Sequence, residues 1–250
     1  MRLFVHELRG ELLLYTRSKE LAFFTFLLPL ILFVLLGSTY GNDTINGDRG
    51  SNFLEAGMLG YGLVSTAFAG LAIFMVIRRE TGILKRVRAT PLPAWMYLAS
   101  VLVATLIAFA VNAACMIAIG RGLFSVPLPD RVLSLFLTLV LGAVAFAAMG
   151  LAMSALVRSA EGASASVNAV YLPMSFISGS FFSPHSFPQF LRAIADVLPL
   201  TYFIRLTRDV MLHGHQLWDN WGDVGAIAAW GALGAIVAFW RFRWEPAEQG

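Results

Sequence analysis

Residues 78–93 read RRETGILKRVRATPLP. This stretch is the densest run of charge in the chain, and long apolar runs with almost no charge lie on both sides of it. Its charged residues are five bases and one acid: Arg78, Arg79, Lys85, Arg86, Arg88 and Glu80. A basic segment between two apolar runs is typical of a loop that stays on the cytoplasmic side of a membrane.

The composition indicates a membrane protein with several spans. The chain has 250 residues, of which 58% are hydrophobic and only 13% charged, whereas soluble domains carry about 25% charged residues. The bases lie beside apolar runs, so membrane topology explains the net charge of +3 better than nucleic-acid binding does. The single cysteine, Cys115, excludes an internal disulfide and a cysteine cluster for a metal.

Six apolar runs are predicted to cross the membrane as helices, because most contain the roughly twenty residues that a helical span needs. They lie at 21–40, 53–77, 95–119, 132–157, 163–182 and 224–240. The first run is longer than a signal-peptide core of about 7–15 residues, so we expect an uncleaved first span.

Residues 1–20 are predicted to form an amphipathic helix in the membrane interface. Phe4, Val5, Leu8, Leu12 and Tyr15 fall on one arc when each residue advances by about 100°. The alternative is a charged leader that only orients the first span.

The basic residues orient the predicted spans. The N-terminal segment carries four and loop 78–93 carries five, whereas loops 41–52 and 120–131 carry one and two. The remaining bases near the runs are Arg158 in the next short turn and Arg241 and Arg243 in the C-terminal tail. Six spans with both termini in the cytoplasm satisfy this pattern best. We therefore expect a multi-pass protein of the cytoplasmic membrane.

Residues 183–223 are predicted to hold two short outer helices between the fifth and sixth spans. Ser186 followed by Pro188 is a helix start signal, Pro199 ends the first helix, and Gly214 ends the second. Both helices are apolar enough to dip into the membrane, where such re-entrant structure must be buried in protein. The predicted fold is therefore one all-α transmembrane domain over residues 1–250.

The sequence carries no motif for a catalytic or cofactor site. It lacks a phosphate-binding loop, a hydrolase elbow and a zinc-protease motif. His213 and His215 make an incomplete zinc site, and we interpret them as a solvated helix end. The central stretches of the six runs lack ionisable residues, which argues against coupling of transport to protons by this chain alone.

A few polar residues inside the predicted spans allow two interpretations. They are Asn112, Asn168, Tyr171 and Ser175. Such residues hold helices together or contact a transported molecule, and the sequence leaves both open. Small residues are dense in the second and fourth runs, which favours close helix packing within the chain or between two chains.

The core of the basic stretch is patterned as well as charged. Ile83, Leu84 and Val87 share one helical side, while the bases mostly point elsewhere. The pair Thr90-Pro91 closes the element, because a residue before proline is biased out of the helix. A short amphipathic helix of this kind can dock into a groove on another protein; the alternative is a loop whose charge only keeps it inside the cell.

Two sets of residues resemble the type 2 permeases of ATP-binding-cassette (ABC) exporters, which include multidrug and polysaccharide exporters. The first set is similar to the loop after the second span of that family, and it comprises Arg79-Glu80-Thr81-Gly82 and Leu84-Lys85-Arg86-Val87-Arg88-Ala89-Thr90-Pro91-Leu92. The second resembles the end of the fifth span and the outer helices, and it comprises Ser178-Gly179, Phe181-Phe182-Ser183-Pro184, Phe187-Pro188, Leu191 and Leu198-Pro199-Leu200-Thr201-Tyr202. The resemblance covers essentially the whole chain.

This resemblance implies a dimer of two six-span halves, of the same or a related chain, above two ATPase subunits. ATP and Mg²⁺ would bind to the ATPases, and no cofactor is expected in this chain. Residues 82–90 would be a coupling helix seated in the ATPase, residues 2–18 a connecting helix beside it, and the substrate path would run between the halves. The implied coupling residues are Arg79, Glu80, Gly82, Leu84, Lys85, Arg86, Val87, Arg88 and Pro91.

We therefore expect the membrane subunit of an ATP-driven exporter that moves a hydrophobic or amphiphilic substrate, such as a drug, a lipid or a lipid-linked glycan. The alternatives are an integral membrane enzyme for lipid or glycosyl transfer and a regulatory membrane subunit that transports nothing.

Overall fold

The computed structural model describes residues 2–157, 159–242 and 244, which are almost entirely helical. Arg158 and Arg243, which the charge pattern included, lie outside the described residues. The first helices are α1 (Arg2–Arg17), α2 (Lys19–Ala22, the π-helical turn Phe23–Leu27 and Leu28–Tyr40), α3 (Gly50–Glu80, with π-helical Val64–Gly70) and α4 (Ile83–Arg88). The later ones are α5 (Ala94–Phe124), α6 (Val132–Leu156), α7 (Ala160–Ile177), α8 (Gln189–Ala195), α9 (Pro199–Leu212) and α10 (Trp221–Arg241). Short 3₁₀ turns lie at Pro184–Ser186 and Leu217–Asp219.

Helix α3 is the centre of the bundle. Its most apolar stretch is 72% buried, against 22% to 44% for the other long apolar helices. It packs against α2, α5, α6, α7 and α9. A movement of α3 would therefore displace residues that contact most of the other long helices.

Small residues permit the close approach of helices to α3 and α6. A Cβ atom at Gly150 of α6 would lie 2.7 Å from the carbonyl oxygen of Ala67 in α3. At Gly142 it would lie 2.4 Å from the ring of Phe203 in α9, and at Gly234 of α10 it would lie 2.8 Å from the backbone of Met149. These small residues are thus used for packing within one chain.

A short hairpin, within the segment 41–52 that was predicted only as a loop, connects α2 to α3. Strands Thr44–Ile45 and Asp48–Arg49 pair antiparallel. Asn46 and Gly47 form the turn with positive φ values of 55° and 91°. Asn-Gly is the usual sequence for a two-residue hairpin turn, so the signal was present in the sequence.

Among the described residues, five helices are long and apolar enough to cross a membrane: Phe23–Tyr40, Gly50–Glu80, Ala94–Phe124, Val132–Leu156 and Trp221–Arg241. The fifth predicted run, 163–182, is a helix at Ala160–Ile177, but Ser164, Ser166 and Asn168 make it more polar than the others. It ends before residue 182 because the chain turns at Ser178 and Gly179, where Gly179 has a φ of 94°.

The segment 183–223 contains helices α8 and α9 near the predicted positions. Pro188 precedes α8, and Pro199 is the first residue of α9. Within the segment, α9 is the better buried: Phe203, Ile204 and Leu206 are fully covered, whereas α8 exposes Phe190 and Ile194. Helix α9 is therefore a part of the core, and α8 lies at its surface.

Contacts at the two ends of the bundle show which segments share a side. At one end, α1 contacts the end of α3 through Glu11 and Arg78, and Trp244 packs near Tyr97 at the start of α5. At the other end, the hairpin residue Asn46 hydrogen bonds with Ser183, just beyond α7. Helix α1 and Trp244 therefore lie on the side of the basic stretch, and α7 runs from that side to the opposite one.

Candidate functional site

Helix α4 projects from the end of α3 across a two-residue break. The Thr81 side chain donates a hydrogen bond to the carbonyl of Ile77 at 2.8 Å, and Gly82 then takes a left-handed φ of 73°. That conformation is cheap for glycine and costs other residues about 1–2 kcal/mol. At the far end, the Thr90 hydroxyl donates to the carbonyl of Val87 at 2.6 Å, and Pro91 follows. Helix α4 is thus delimited by local chemistry at both ends.

Arg78, the first base of the stretch, is buried and joins three helices. Its guanidinium binds the carboxylate of Glu11 in α1 through two contacts, of 2.6 Å and 3.0 Å. It also donates to the hydroxyl of Tyr97 in α5 and lies 3.8 Å from the ring centre of Phe74. Burial raises the pKa of Glu11, and the hydrogen bond and charge of Arg78 oppose that rise. The pair fixes α1 against the end of α3.

Arg79, the second base, is also buried and binds the end of another helix. It donates to the carbonyl oxygens of Ser154 at 3.0 Å and Val157 at 2.6 Å, at the C-terminus of α6. A cation at this position satisfies carbonyls that have no partner inside the helix and interacts favourably with the helix dipole. The Oε1 atom of Glu80 lies 3.4 Å from the Nε atom of Arg79. The start of the basic stretch therefore ties α3 to α6 as well as to α1.

Helix α4 itself has one covered side and one open side. Leu84 is fully buried and Val87 half-buried. Lys85, Arg86 and Arg88 are exposed, and Ile83 is 39% exposed beside them. The predicted division holds for Leu84 and Val87, but Ile83, which was predicted on the same apolar side, is exposed with the bases. The open side presents positive charge with one apolar residue at the end of the molecule.

The predicted coupling residues consequently fall into two groups. The buried group comprises Arg79 and Leu84, which position α4, and Gly82 forms the break between α3 and α4. The exposed group comprises Lys85, Arg86, Arg88 and Pro91. Glu80 and Val87 are half-buried between the two groups. A partner could contact only the exposed group directly.

The polar residues of the predicted substrate path lie around α3. Asn112 is fully buried, and its amide donates to the carbonyl of Thr25 at 2.9 Å. Pro29 cannot donate the helical hydrogen bond that Thr25 would otherwise accept, so Asn112 supplies a donor at this point of α2. A Cβ at Gly62 of α3 would lie 2.5 Å from the Asn112 side-chain oxygen. Asn112 thus joins α2, α3 and α5.

The other three lie in α7. Tyr171 is buried and stacks on Tyr61 of α3, with 5.7 Å between ring centres. The Ser175 hydroxyl donates to the Tyr171 carbonyl at 2.8 Å, and Asn168 is half-buried. The structure therefore brings Asn112 and Tyr171 to neighbouring residues of α3, Gly62 and Tyr61, but not into contact with each other.

Two charged residues that were not among the predicted site residues, Glu11 and Glu55, are buried in the structure, and a third, Arg208, is half-buried. Glu11 pairs with Arg78 as described. Glu55 of α3 is 1% exposed, and a Cβ at Gly120 of α5 would lie 2.3 Å from its Oε2 atom. Arg208 of α9 donates to the Gly179 carbonyl at 2.6 Å and lies 3.6 Å from the ring centre of Phe53. For Glu55 the available signal was an isolated charge within an otherwise apolar run.

Of the two histidines that follow α9, His213 interacts with two carboxylates. His213 lies 3.7 Å from Asp48 and 3.2 Å from Asp209, and the His215 ring centre is 6.1 Å from that of His213. Within the described residues no group of three or more His, Cys, Asp or Glu side chains is arranged to hold a metal ion.

Comparison with known proteins places this architecture in a family. The family model described as ABC-2 type transporter matches residues 2–212, from α1 through α9. The chain belongs to the ABC-2 type transporter family. The match includes α1, the basic stretch with α4, and both outer helices. Membership identifies a multi-pass membrane permease component of an ABC transporter.

Two relatives carry more specific descriptions. The chain is 24% identical over 170 residues to the inner membrane transport permease YhhJ of Escherichia coli strain K12, covering 68% of this chain and 46% of YhhJ. It is 23% identical over 165 residues to the probable multidrug ABC transporter permease YbhR of the same strain, covering 66% of this chain and 45% of YbhR. This ABC-2 chain thus aligns with somewhat less than half the length of each relative.

Proposed function

We propose that this chain is the permease subunit of an ABC exporter and that α4 receives the mechanical work of a separate ATPase subunit. This proposal rests mainly on one observation about α4, which is that one of its sides is exposed and the other is anchored in the bundle. Its open side presents Lys85, Arg86 and Ile83, while buried anchors hold its base. A charged rim around an apolar contact is the usual composition of a protein docking surface.

The anchors convert a push on α4 into movement of the bundle. Leu84 is fully buried, so α4 cannot slide freely over the surface. Arg78 and Arg79 connect its base to α1, α5 and α6. Closure of the ATPase upon ATP binding would therefore move α3, and α3 lies against most of the other helices.

The proposed topology has six crossings with both termini in the cytoplasm. It is supported by the basic stretch and by the contacts that put α1 and Trp244 on the side of α4. It requires α7 to cross in addition to the five more apolar helices. With 18 residues, α7 is about 27 Å long, close to the roughly 30 Å of the hydrocarbon layer.

A second copy, or a related chain, would complete the transporter by covering α7. The first half of α7 exposes Ser164, Ala165, Ser166 and Ala169, whereas its second half exposes Val170, Leu172 and Phe176. Small and polar residues are typical of contacts between membrane helices and are poorly suited to lipid. The substrate path would then lie between the two halves, with Asn168 near its wall.

The proposed substrate is hydrophobic or amphiphilic: a drug, a lipid or a lipid-linked glycan. The apolar spans support this class. The name of the relative YbhR, a probable multidrug permease, agrees with the first alternative. ATP and Mg²⁺ would be bound by the ATPase.

The test of the docking surface is a charge reversal with a matched control. The variant Lys85→Glu/Arg86→Glu changes two exposed bases of α4, and Arg121→Glu/Arg131→Glu changes two exposed bases at the opposite end of the spans. We expect the first to lower co-purification of an ATPase encoded beside this chain by about tenfold or more, since opposed like charges cost several kcal/mol. The control should bind the ATPase as the unaltered chain does. Equal binding by both variants would refute docking through α4.

The sidedness is tested separately by chemical accessibility. In a Cys115→Ser background, Lys85→Cys and Arg121→Cys place single thiols at the two ends of the bundle. An impermeant thiol reagent added to intact cells should label only the Arg121→Cys variant. Labelling of the Lys85→Cys variant instead would reverse the proposed orientation without affecting the docking test.

A further inference from the structure

One cavity in the described part of the protein is separate from α4 and from the proposed path. It is a groove of about 310 Å³ between α5, α6 and α10. Leu102 and Leu106 form one wall, Ala235 and Ala238 the other, and Val144 and Ala148 the floor. These are apolar side chains, and small residues on α6 and α10 create the depth.

The groove lies mainly in one leaflet, and its deeper end reaches the midplane, because Leu106 and Val144 are each about 18 Å from the corresponding helix ends. Leu102 is eight residues into α5 from Ala94, or about 12 Å along the helix, and Ala238 is three residues before the end of α10. Half of the hydrocarbon layer is about 15 Å thick. The groove is therefore mainly in the leaflet on the side of the basic stretch.

The surroundings of the groove point to lipid. Its walls belong to three helices that are apolar enough to span the membrane, so its opening faces hydrocarbon. Beyond Ala238, one helical turn further along the same face, α10 places exposed Arg241. Trp240 and Trp95 at the adjoining helix ends are 78% and 67% exposed. Tryptophan and arginine at this level are suited to the headgroup region of a bilayer.

From these observations we infer that the groove between α5, α6 and α10 binds one acyl chain of a phospholipid, whose anionic headgroup is held by Arg241. The volume is about twice that of a dry cavity, of roughly 150 Å³, known to bind benzene, so a substantial part of an acyl chain fits. A chain held there would fill space that would otherwise leave α5 and α10 without packing contacts.

A second protein copy suits this groove poorly. The ridge of α10 beside it carries Leu233, Ile236 and Phe239, which are 51%, 56% and 85% exposed. Such bulky side chains keep another backbone at a distance, whereas close helix contacts in membranes use small residues. Exposed small residues of this kind lie in the first half of α7, at residues 164–166 and 169. The lipid site requires only that the chain spans the membrane and is independent of the ATPase.

The experiment fills the groove and counts bound lipid. The full chain is purified in mild detergent, mixed with phosphatidylglycerol and phosphatidylcholine, and examined by native mass spectrometry. The variant Ala148→Phe/Ala235→Phe occupies the groove, and Ala114→Phe/Ala229→Phe adds the same bulk at exposed positions of α5 and α10 outside it. Ala235→Leu alone, at an exposed position, is the milder variant if the double one does not fold.

We expect the unaltered chain and the control to retain one phospholipid, and the groove variants to lose it by about fivefold or more. Arg241→Gln should remove the preference for phosphatidylglycerol over phosphatidylcholine while the lipid count stays the same. Equal retention by groove and control variants, or no retained lipid on the unaltered chain, overturns the inference. A cross-linked dimer formed by Ala148→Cys in a Cys115→Ser background also overturns it, because it places a second copy in the groove.

Discussion

The ion pair between Glu11 and Arg78 gives the sharpest prediction for stability. Both side chains are almost completely buried: the exposed fraction is 5% for the Glu11 side chain and 10% for the Arg78 side chain. Removal of one partner leaves the other charge buried without compensation, which costs about 3–5 kcal/mol. Arg78→Met and Glu11→Leu should each show a loss of this size. Replacing both residues at once removes both charges, so the double variant should be more stable than either single one.

The assay is thermal unfolding of the purified protein in detergent. For a protein of this size, 1 kcal/mol corresponds to about 2–4 °C in Tm, so each single variant should unfold about 6–20 °C below the unaltered chain. Arg205 provides the matched control, because it also lies near two carboxylates, those of Asp196 and Asp223, but is 48% exposed. Exposed pairs contribute about 0–1 kcal/mol, so Arg205→Met should shift the Tm by no more than about 4 °C.

Two results would refute this reasoning. The first is a Tm for Arg78→Met or Glu11→Leu that equals the Arg205→Met value. The second is a double variant whose loss equals the sum of the two single losses, because independent effects would mean that the residues do not act as a pair.

Three further predictions concern single positions. Gly82→Val forces a β-branched residue into a left-handed conformation at a cost of about 1–2 kcal/mol, so transport should fall and Tm should drop by about 2–8 °C. Gly82→Asn should be tolerated, and equal transport by both variants would contradict the role of the break. Gly120→Ala puts a methyl group 2.3 Å from the Glu55 carboxylate and should lower the Tm. Gly122→Ala, with open space around it, should leave the Tm unchanged, and adding Glu55→Ala to Gly120→Ala should partly restore the Tm. Asn112→Ala removes the donor to the Thr25 carbonyl and should lower the Tm by about 2–4 °C for about 1 kcal/mol; a changed substrate KM at unchanged Tm would instead indicate a substrate contact.

The helices and the patterned α4 could be predicted from the sequence because both depend on local signals. Apolar length predicts a span, and the 3.6-residue period predicts the buried side of α4 that carries Leu84. Asn46-Gly47 is an equally local signal for the hairpin, although only a loop was predicted at 41–52. The more polar α7 shows the limit of apolarity as a criterion, because Ser164 and Ser166 reduce the hydropathy of a helix that still runs between the two ends of the bundle.

The roles of individual charges could not be predicted, because they depend on contacts between residues far apart in the chain. Arg78 and Arg86 look alike in the sequence. Only the packing shows that Arg78 meets Glu11, 67 positions earlier, while Arg86 is left exposed. The same applies to Asn112, whose partner Thr25 is 87 positions away and is revealed only by the arrangement of α2, α3 and α5.

The basic stretch therefore divides at Gly82 into two parts with different physical tasks. Before the glycine, Arg78 and Arg79 are buried, and their charge is balanced by Glu11 and by the carbonyls at the end of α6. After it, Lys85 and Arg86 face outward from a helix that is held by Leu84. Neutralising the first part should weaken the fold, and neutralising the second should weaken docking alone. A transporter driven through this stretch needs both, because a docked helix without rigid anchors would move without moving α3.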